Sequence, residues 1–328
     1  MKQKEMGDCT IILKDTPDDI YIAHNTHNVF SIVQRLFKST KIEWDTYSSF
    51  MQSETMRLSA RYGAIGSKDD FYVLDSGLVV METSILIFND SLYDQIEVRA
   101  LPYFIRVTVA NWMAKDNLHW IDTYLKYDSG THVAQWIIVD TNKSKYSDNS
   151  INLLDSIMGD HQAFDISQKF KDQGYWAGYN VAYSHRIWET CKYDPDKHSF
   201  TNDERAVIIK EKIGNVNTFD DLKHLIRLNE NSTYPCGSIA PRCDLDPRPE
   251  ERRPFGAIDG KMTKASWIKA RNLTIIGINS PTFDNPDLPP FSFTGEWEMV
   301  PHRETPTVYN FTWQNVFEYV DSPTTISE

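Results

Sequence analysis

Cysteine is scarce in this sequence, with four residues among 328: Cys9, Cys191, Cys236 and Cys243. So few cysteines exclude a small scaffold built on disulfides, which needs several bridges in place of a hydrophobic core. Cys236 and Cys243 bracket a short loop with glycine and proline, PCGSIAPRC. The pair is a candidate disulfide that would close this loop, and two unrelated thiols are the alternative.

Long apolar runs and an excess of positive charge are also missing. No stretch of 18 or more apolar residues occurs, so the sequence predicts no transmembrane helix. The 34 Lys and Arg residues face 46 Asp and Glu residues, and the net charge of −12 disfavours nucleic acid as a partner. The first residues, MKQKEMGDCTIILKD, lack the apolar segment of a signal peptide, which by itself predicts a cytosolic protein.

Five glycosylation sequons favour the secretory route instead. They are centred on Asn89, Asn142, Asn231, Asn272 and Asn310. Chance gives roughly three sequons in a chain of this composition, so five sequons exceed the chance number by about two. If the chain is secreted or lysosomal, these asparagines are the candidate glycosylation sites.

The sequence alternates between strand-like and helix-like segments. Strands are predicted at 10–13, 19–24, 70–75, 78–85 and 134–140. Helices are predicted through the apolar positions of 29–37, at 102–114 and 118–126, from about 203, and after Thr218. From about 229 onward proline, glycine and asparagine are frequent, which predicts irregular chain wrapped on a core. The order fits a mixed α and β protein whose sheets are covered by helices.

The common catalytic signatures are absent: the sequence has no GxSxG, Walker loop, GxGxxG or HExxH. His24 and His27 are three residues apart, but no third ligand lies near them in the sequence. The sequence therefore predicts no metal site and no organic cofactor.

Seven phrases carry a more specific signal. In chain order they lie at 7–10 (GDCT), 23–26 (AHNT), 69–83, 127–140, 174–180, 242–247 and 256–261. Their identity, order and spacing, over about residues 7–295, resemble the large C-terminal chain of the phospholipase B-like (lamina ancestor) family of N-terminal-nucleophile hydrolases.

The resemblance implies an α+β protein, a four-layer αββα sandwich, made by residues 9–328 as a single domain. It also implies a precursor with a signal peptide and an N-terminal chain, and this N-terminal chain would be a partner of the core. Autoproteolysis in the family exposes a cysteine, which here would be Cys9, freed by cleavage after Asp8. Residues 1–8 would then be the remnant that precedes the processing site.

The resemblance also implies the active-site residues. Cys9 would be the nucleophile, and its own α-amine, a group that ordinarily titrates at about pH 7.7–8.0, would take the thiol proton. His24 matches a pocket histidine, and Asn180 matches an asparagine whose amide could stabilise the oxyanion. Arg205 matches an arginine that would raise thiolate character.

Two further positions belong to the implied substrate pocket. Ser84 stands where the family has a threonine, so a hydroxyl is kept. His27 stands where the family usually has tryptophan, which exchanges a large apolar wall for a titratable ring. The change at His27 and the missing N-terminal chain mark a divergent sequence.

The predicted function is a lysosomal or extracellular hydrolase that cleaves acyl groups from phospholipids or related N-acyl lipid amides. Two alternatives stay open. One is a catalytically inactive family member that binds lipid or a protein partner. The other is an amidase that uses the same nucleophile on a non-lipid substrate.

Overall fold

The structure is a computed structural model that describes residues 9–45, 48–64, 66–67, 69–230, 234–303 and 305–317. Its strands, within these ranges, are β1 (Cys9–Asp15), β2 (Ile20–Val29), β3 (Leu36–Lys41), β4 (Thr55–Ala60), β5 (Phe71–Leu74), β6 (Leu78–Ser84), β7 (Ala134–Asp140), β8 (Ile151–Ile157), β9 (Asp160–Asp165), β10 (Tyr175–Gly178), β11 (Phe255–Ala257), β12 (Gly260–Lys264), β13 (Ile276–Ile278), β14 (Phe291–Ser292), β15 (Val308–Tyr309) and β16 (Gln314–Asn315). The helices are α1 (Tyr103–Met113), α2 (Asn117–Leu125), α3 (Ser167–Gln173), α4 (His185–Thr190), α5 (Glu204–Lys212), α6 (Phe219–Ile226) and α7 (Ala265–Lys269).

Two antiparallel sheets form the centre of the molecule. The first sheet has the order β10-β1-β2-β12-β13-β16, and β11 pairs with the far end of β2. The second sheet runs β3-β4-β5-β6-β7-β8-β9, so its neighbours in space are also neighbours in sequence. Strand β1 leads into β2 through a short turn, which fixes the register in which Cys9 lies opposite Thr26.

The two sheets pack face to face. Alternate residues of a strand point to opposite faces, so every second residue of β1 and β2 faces the second sheet. The apolar part of this interface is fully or almost fully buried and contains Ile11, Leu13, Ile20, Ile22, Phe71, Val73, Val79, Met81, Ile137, Val139, Ile151 and Leu153. Burial of a side chain of this size stabilises the fold by about 1.5–3 kcal/mol.

Helices cover the outer face of each sheet. On the first sheet, Ile12 and Ala23 pack with Leu222 and Leu225 of α6. On the second sheet, the outward residues pack against Val107 of α1 and against α2. The layers are therefore helix, sheet, sheet and helix, which confirms the predicted αββα sandwich.

Most predicted elements are confirmed in place. The strands predicted at 10–13, 19–24, 70–75, 78–85 and 134–140 correspond to β1, β2, β5, β6 and β7. The helices predicted near 203 and after 218 are α5 and α6, and Thr218 caps α6 in a capping box with Asp221. No helix of the described residues is long and apolar enough to cross a membrane.

The helix predicted over 29–37 is wrong. The chain makes a short 3-10 turn at Phe30–Ile32 and then enters β3 at Leu36. Phe30 and Val33 are buried in a small cluster with Phe291 and neighbouring aromatic residues. The apolar spacing that imitated a helix arises because a turn and the next strand both bury side chains.

The region after 229 is more ordered than its composition predicts. It contains short turns, but β12 lies beside β2 in the first sheet, with Lys261 opposite His24. The sequence did not predict these strands, because they are only three to five residues long and proline and glycine are frequent around them. The consequence is that Lys261, which the sequence did not single out, enters the interior.

Candidate active site

Cys9 begins β1 at one end of the space between the sheets. Strand alternation places its side chain on the same face as Ile11 and Leu13, which belong to the core between the sheets. Its exposed fraction is 3%. The predicted nucleophile therefore lies at the point where the apolar interior gives way to polar groups.

Polar groups hold both ends of the Cys9 backbone. Its N–H donates to Asn180 Oδ1 at 3.0 Å, and its carbonyl accepts from Arg205 Nη1 at 2.8 Å. The same Arg205 nitrogen donates to Asn180 Oδ1 at 2.9 Å. Because a guanidinium has no acceptor, the Asn180 atom between these two donors must be its oxygen.

Asn180 reaches Cys9 from an unusual backbone position. Its φ of +73° lies in the left-handed region, which asparagine tolerates better than most residues. Its Nδ2 donates to the Ser84 carbonyl at 2.8 Å, and Tyr193 donates its hydroxyl to the Asn180 carbonyl at 2.9 Å. Asn180 thus links the end of β6, where Ser84 lies, to the start of β1.

Arg205 comes from the first turn of α5. The preceding Asp203 caps this helix, and its carboxylate lies 3.3 Å from Arg205 Nε. A second guanidinium nitrogen donates to the Tyr179 carbonyl. The fold thus brings Arg205, which the resemblance matched to a pocket arginine, into contact with the Cys9 carbonyl.

Lys261 is a site residue that the sequence did not reveal. Its ammonium is fully buried and donates to Thr26 Oγ1 at 2.7 Å and to the two oxygens of Asp259 at 2.7 and 2.9 Å. Thr26 is the cross-strand neighbour of Cys9. The available signal was its place at the end of the phrase GAIDGK, but a buried lysine cannot be told from an exposed one by sequence.

Burial dominates the electrostatics of the thiol. It raises the pKa of Cys9 well above the ordinary value, the Glu82 carboxylate raises this pKa further, and Lys261 lowers it. The Cys9 thiol is therefore protonated in this state and needs a base to become a nucleophile.

His24 lies on β2 with its ring fully buried. Its Nε2 lies 2.9 Å from the Glu82 carbonyl, so Nε2 carries the hydrogen and Nδ1 has a free lone pair. Among the described residues, Nδ1 has no hydrogen-bond partner. Burial lowers the pKa of His24 well below its ordinary value, and Lys261 lowers it further, so the ring is neutral.

His27 is also neutral and acts as a donor. Its Nε2 lies 2.8 Å from Asn25 Oδ1 and 3.1 Å from the Ile239 carbonyl. Burial lowers the pKa of His27 well below its ordinary value, with a further lowering by Arg205. The imidazole therefore supplies an N–H donor and does not titrate near neutral pH.

A pocket of about 500 Å³ lies beside this cluster. Its wall includes His27, Tyr179 and Arg205, together with Leu86 and Val181. Cys236 forms another part of the wall and is joined to Cys243 by a disulfide. The loop between these two cysteines carries Ile239, whose carbonyl receives hydrogen bonds from the site, so the disulfide loop braces the pocket.

The remaining predicted positions are spread over the surface. Asn142, Asn272 and Asn310 are exposed, whereas Asn89 is half-buried and its Nδ2 donates to the Thr190 carbonyl at 2.9 Å. Asn231 and residues 1–8, with Asp8, lie outside the described residues. Glycosylation of any of these asparagines stays a prediction.

A family model and several known proteins match most of this chain. The Phospholipase B family model matches residues 1–316. Phospholipase B-like protein G of Dictyostelium discoideum is 27% identical over 96% of this chain, and phospholipase B of Crotalus adamanteus is 30% identical over 94%. Human phospholipase B-like 1 is 29% identical over 94%.

The chain spans 57% to 58% of the length of these three relatives. Among solved structures, a Caenorhabditis elegans ortholog of N-acylethanolamine-hydrolyzing acid amidase has a TM-score of 0.49 and 8% identity, covering 78% of this chain and 92% of its own. The family match extends over nearly the whole chain, including both sheets and every residue of the Cys9 cluster. The chain therefore belongs to the phospholipase B family.

Proposed function

We propose that this chain carries the nucleophile of a lipid acyl hydrolase, with Cys9 as the attacking residue after cleavage of the Asp8–Cys9 bond. The observation that carries the proposal is the arrangement around the Cys9 nitrogen. Asn180 Oδ1 accepts from it at 3.0 Å, and Arg205 fixes that oxygen and the Cys9 carbonyl. After cleavage the same acceptor would hold the new α-amine beside its own thiol.

The reaction then needs no other base. The α-amine takes the proton of the thiol, and the sulfur attacks the acyl carbon of the substrate. The carbon–oxygen or carbon–nitrogen bond breaks, and the leaving alcohol or amine receives the proton from the α-ammonium. Water then attacks the carbonyl carbon of the thioester while the α-amine takes a proton from it. The carbon–sulfur bond breaks, the amine returns the proton to the sulfur, and the fatty acid is released.

Asn180 has two proposed roles in this reaction. Its oxygen faces the Cys9 nitrogen, which supports a role in holding the amine. The resemblance implies a second role as an oxyanion donor, and Nδ2 would then have to leave the Ser84 carbonyl to which it now donates. The geometry supports the amine-holding role first.

Charge around the thiol supports activation by cleavage. The pKa of Cys9 is raised by burial, and a free α-ammonium would add a positive charge next to the sulfur. Lys261 and Arg205 already supply two buried or half-buried cations at this end of the sheets. We infer that cleavage of the Asp8–Cys9 bond, rather than either cation alone, allows the Cys9 thiol to lose its proton.

The proposed substrate is a phospholipid ester or a related N-acyl lipid amide, bound in the pocket walled by His27, Leu86 and Val181. Support comes from the apolar part of this wall and from the relative named phospholipase B in Crotalus adamanteus. A lysosomal or extracellular location, and a complex with the family's N-terminal chain, belong to the same proposal. The disulfide is typical of such compartments.

The experiment combines processing with turnover. The chain, expressed with the N-terminal portion of a relative, is incubated at acidic and neutral pH, and mass spectrometry identifies its N-terminal residue. The processed protein is then assayed for release of fatty acid from a phospholipid and from an N-acyl amide. Cys9→Ala is the inactive control, and Cys191→Ala is the matched control at the other free cysteine.

The proposal expects a new N-terminus at Cys9 and hydrolysis that is lost in Cys9→Ala but kept in Cys191→Ala. The preferred substrate then distinguishes ester from amide. Turnover by a chain that still begins before Cys9 would refute the N-terminal-nucleophile mechanism. An amidase on a non-lipid substrate would appear as correct processing without either lipid activity.

A second candidate is an inactive family member that binds lipid or protein. The observation that favours it is the burial of Cys9, which is 3% exposed and is not part of the pocket wall. Correctly processed protein that binds phospholipid vesicles but releases no fatty acid would support this candidate.

A further inference from the structure

Three adjacent strands of the second sheet bring two carboxylates and an imidazole together. Asp70 immediately precedes β5, Glu82 lies on β6, and His132 lies two residues before β7. Alternation along β6 directs Glu82 to the same face as Val80, which packs against the helices, and therefore away from Cys9. The cluster lies between the second sheet and α1, on the face of that sheet opposite Cys9, although the Glu82 carboxylate still acts electrostatically on the Cys9 thiol.

Each of these side chains has an atom without a hydrogen bond in the described part of the chain. The atoms are Asp70 Oδ2, Glu82 Oε2 and His132 Nε2. Asp70 and Glu82 are buried almost completely, with exposed fractions of 0% and 1%. Buried polar atoms nearly always have a hydrogen-bond partner, so three atoms without one that converge on one point suggest a further ligand.

The spacing of these atoms fits a metal ion. His132 Nε2 lies 3.6 Å from Glu82 Oε2 and 3.9 Å from Asp70 Oδ2, and all three atoms lie within 4.8 Å of one another. Zn²⁺ binds imidazole nitrogen and carboxylate oxygen at about 2.0–2.2 Å, which separates ligands in a tetrahedron by about 3.4 Å. Small side-chain rotations would therefore complete the coordination.

The neighbouring groups also suit a cation. The nearby guanidinium of Arg35 pairs with Asp69 at 2.7 Å, so that cation is already engaged. The Tyr72 hydroxyl donates to the other oxygen of Asp70 at 2.7 Å, which orients the carboxylate with Oδ2 toward the cluster. Tyr103, at the start of α1, stacks on the His132 ring with centroids 4.2 Å apart.

Charge gives the reason why a ligand is needed. Two buried carboxylates side by side are costly unless a proton or a cation neutralises them. The imidazole selects for a borderline ion that accepts nitrogen, which disfavours Ca²⁺ and Mg²⁺. We propose that Asp70, Glu82 and His132 bind one divalent transition-metal ion, of the Zn²⁺ or Mn²⁺ class, which ties strands β5, β6 and β7 to one another.

The test uses the full chain after treatment with a chelator. Zn²⁺, Mn²⁺ and Ca²⁺ are titrated separately, with stoichiometry from elemental analysis and affinity from calorimetry. Co²⁺ is added as a spectroscopic probe, since its visible bands report direct coordination. The decisive variant is His132→Gln, and the matched control is His161→Gln, the same change at an exposed histidine.

We expect about one equivalent of Zn²⁺ or Mn²⁺ per chain, a raised Tm, and no comparable response to Ca²⁺. His132→Gln should weaken binding at least about tenfold, and His161→Gln should not. Equal binding by His132→Gln, or loss of binding in Cys9→Ala, would place the ion elsewhere and overturn the proposal. Absence of metal binding, combined with a higher Tm in Glu82→Gln, would mean that Asp70 and Glu82 share a proton instead. That result would also overturn the proposal.

Discussion

The inward faces of the central strands change character along their length. At one end, Leu13, Ile22 and Leu153 pack in an apolar core. At the other end the same faces carry polar residues: Cys9, His24, Thr26, Thr83, Gln135 and Asp155. Both regions are equally buried, so burial alone does not distinguish the structural half from the candidate active site.

The difference between these regions lies in how each tolerates change. The apolar half depends on volume and close packing, which many sequences can supply. The polar half depends on specific donors and acceptors, because an unpaired buried group costs as much as several apolar contacts contribute. The comparison predicts that substitutions in the two halves have separable effects on stability and turnover.

The largest effect is expected at the buried ion pair of the polar half. Lys261→Met leaves the buried Asp259 carboxylate without its cation and with the Thr26 N–H as a remaining donor. We expect a loss of about 3–5 kcal/mol in the free energy of unfolding. Chemical denaturation measures this loss. The double variant Lys261→Met/Asp259→Leu should recover most of it, and failure to recover would mean that the lysine acts through something other than the pair.

A comparable loss of stability is expected in the apolar half, but without a catalytic defect. Leu153→Ala removes a fully buried side chain and should cost about 2–5 kcal/mol. Turnover per folded molecule should stay unchanged, as measured under conditions where the variant is fully folded. A specific loss of turnover would contradict the separation of the two halves.

Within the polar half, two substitutions of Asn180 test whether this residue holds the amine or stabilises the oxyanion. Asn180→Gly tolerates the left-handed backbone but removes both amide atoms, and turnover should fall by about 10²–10³-fold. Asn180→Asp keeps an acceptor for the amine and for Arg205. If amine holding is the main role, Asn180→Asp should retain more turnover than Asn180→Gly; the reverse order would favour the oxyanion role.

Asp155 makes the polar half sensitive to pH. Burial raises the pKa of Asp155 to about 6, while hydrogen bonds from Ser184 and Gln135 oppose the rise. The folded chain therefore binds this proton more tightly than the unfolded chain. Its contribution to stability is complete below about pH 4 and is lost as the pH rises to about 6, a loss of about 3 kcal/mol.

Unfolding measured from pH 4 to pH 7 tests this dependence. The decline should be reduced in Asp155→Asn, which has no proton to release. The exposed Asp287→Asn removes one surface carboxylate and should keep the decline seen in the unmodified chain. An equal decline in both variants would assign the pH dependence to other groups.

The smallest effects are expected at the sequons. Asn142, Asn272 and Asn310 are exposed, whereas the Asn89 amide is already engaged by Thr190, so glycan occupancy should be lower at Asn89. Intact mass after secretion from eukaryotic cells measures occupancy. Replacing Asn310 with Gln should remove one glycan and change stability by less than about 0.5 kcal/mol. Full occupancy of Asn89 alone would contradict this order.

Sequence patterns predicted much of this architecture and part of the site. Alternating apolar residues predicted β1 and β2, and a threonine followed by an acidic residue predicted the start of α6. The helix over 29–37 failed because apolar spacing records burial but not the element that causes it. The family phrases identified Cys9 and Asn180. These two residues are 171 positions apart in the sequence, so no local pattern predicts that they are in contact.

The sequence by itself determined the strand pair that begins with Cys9, the Thr218 cap of α6 and the family to which its phrases belong. These features depend on neighbouring residues, whose propensities and spacing are local. Only the tertiary structure decided that Lys261 is buried beside Thr26, that His27 is a neutral donor, and that Asp70, Glu82 and His132 meet. Those properties depend on desolvation and on contacts between distant strands, because the same side chains would be ordinary solvated groups at an exposed position.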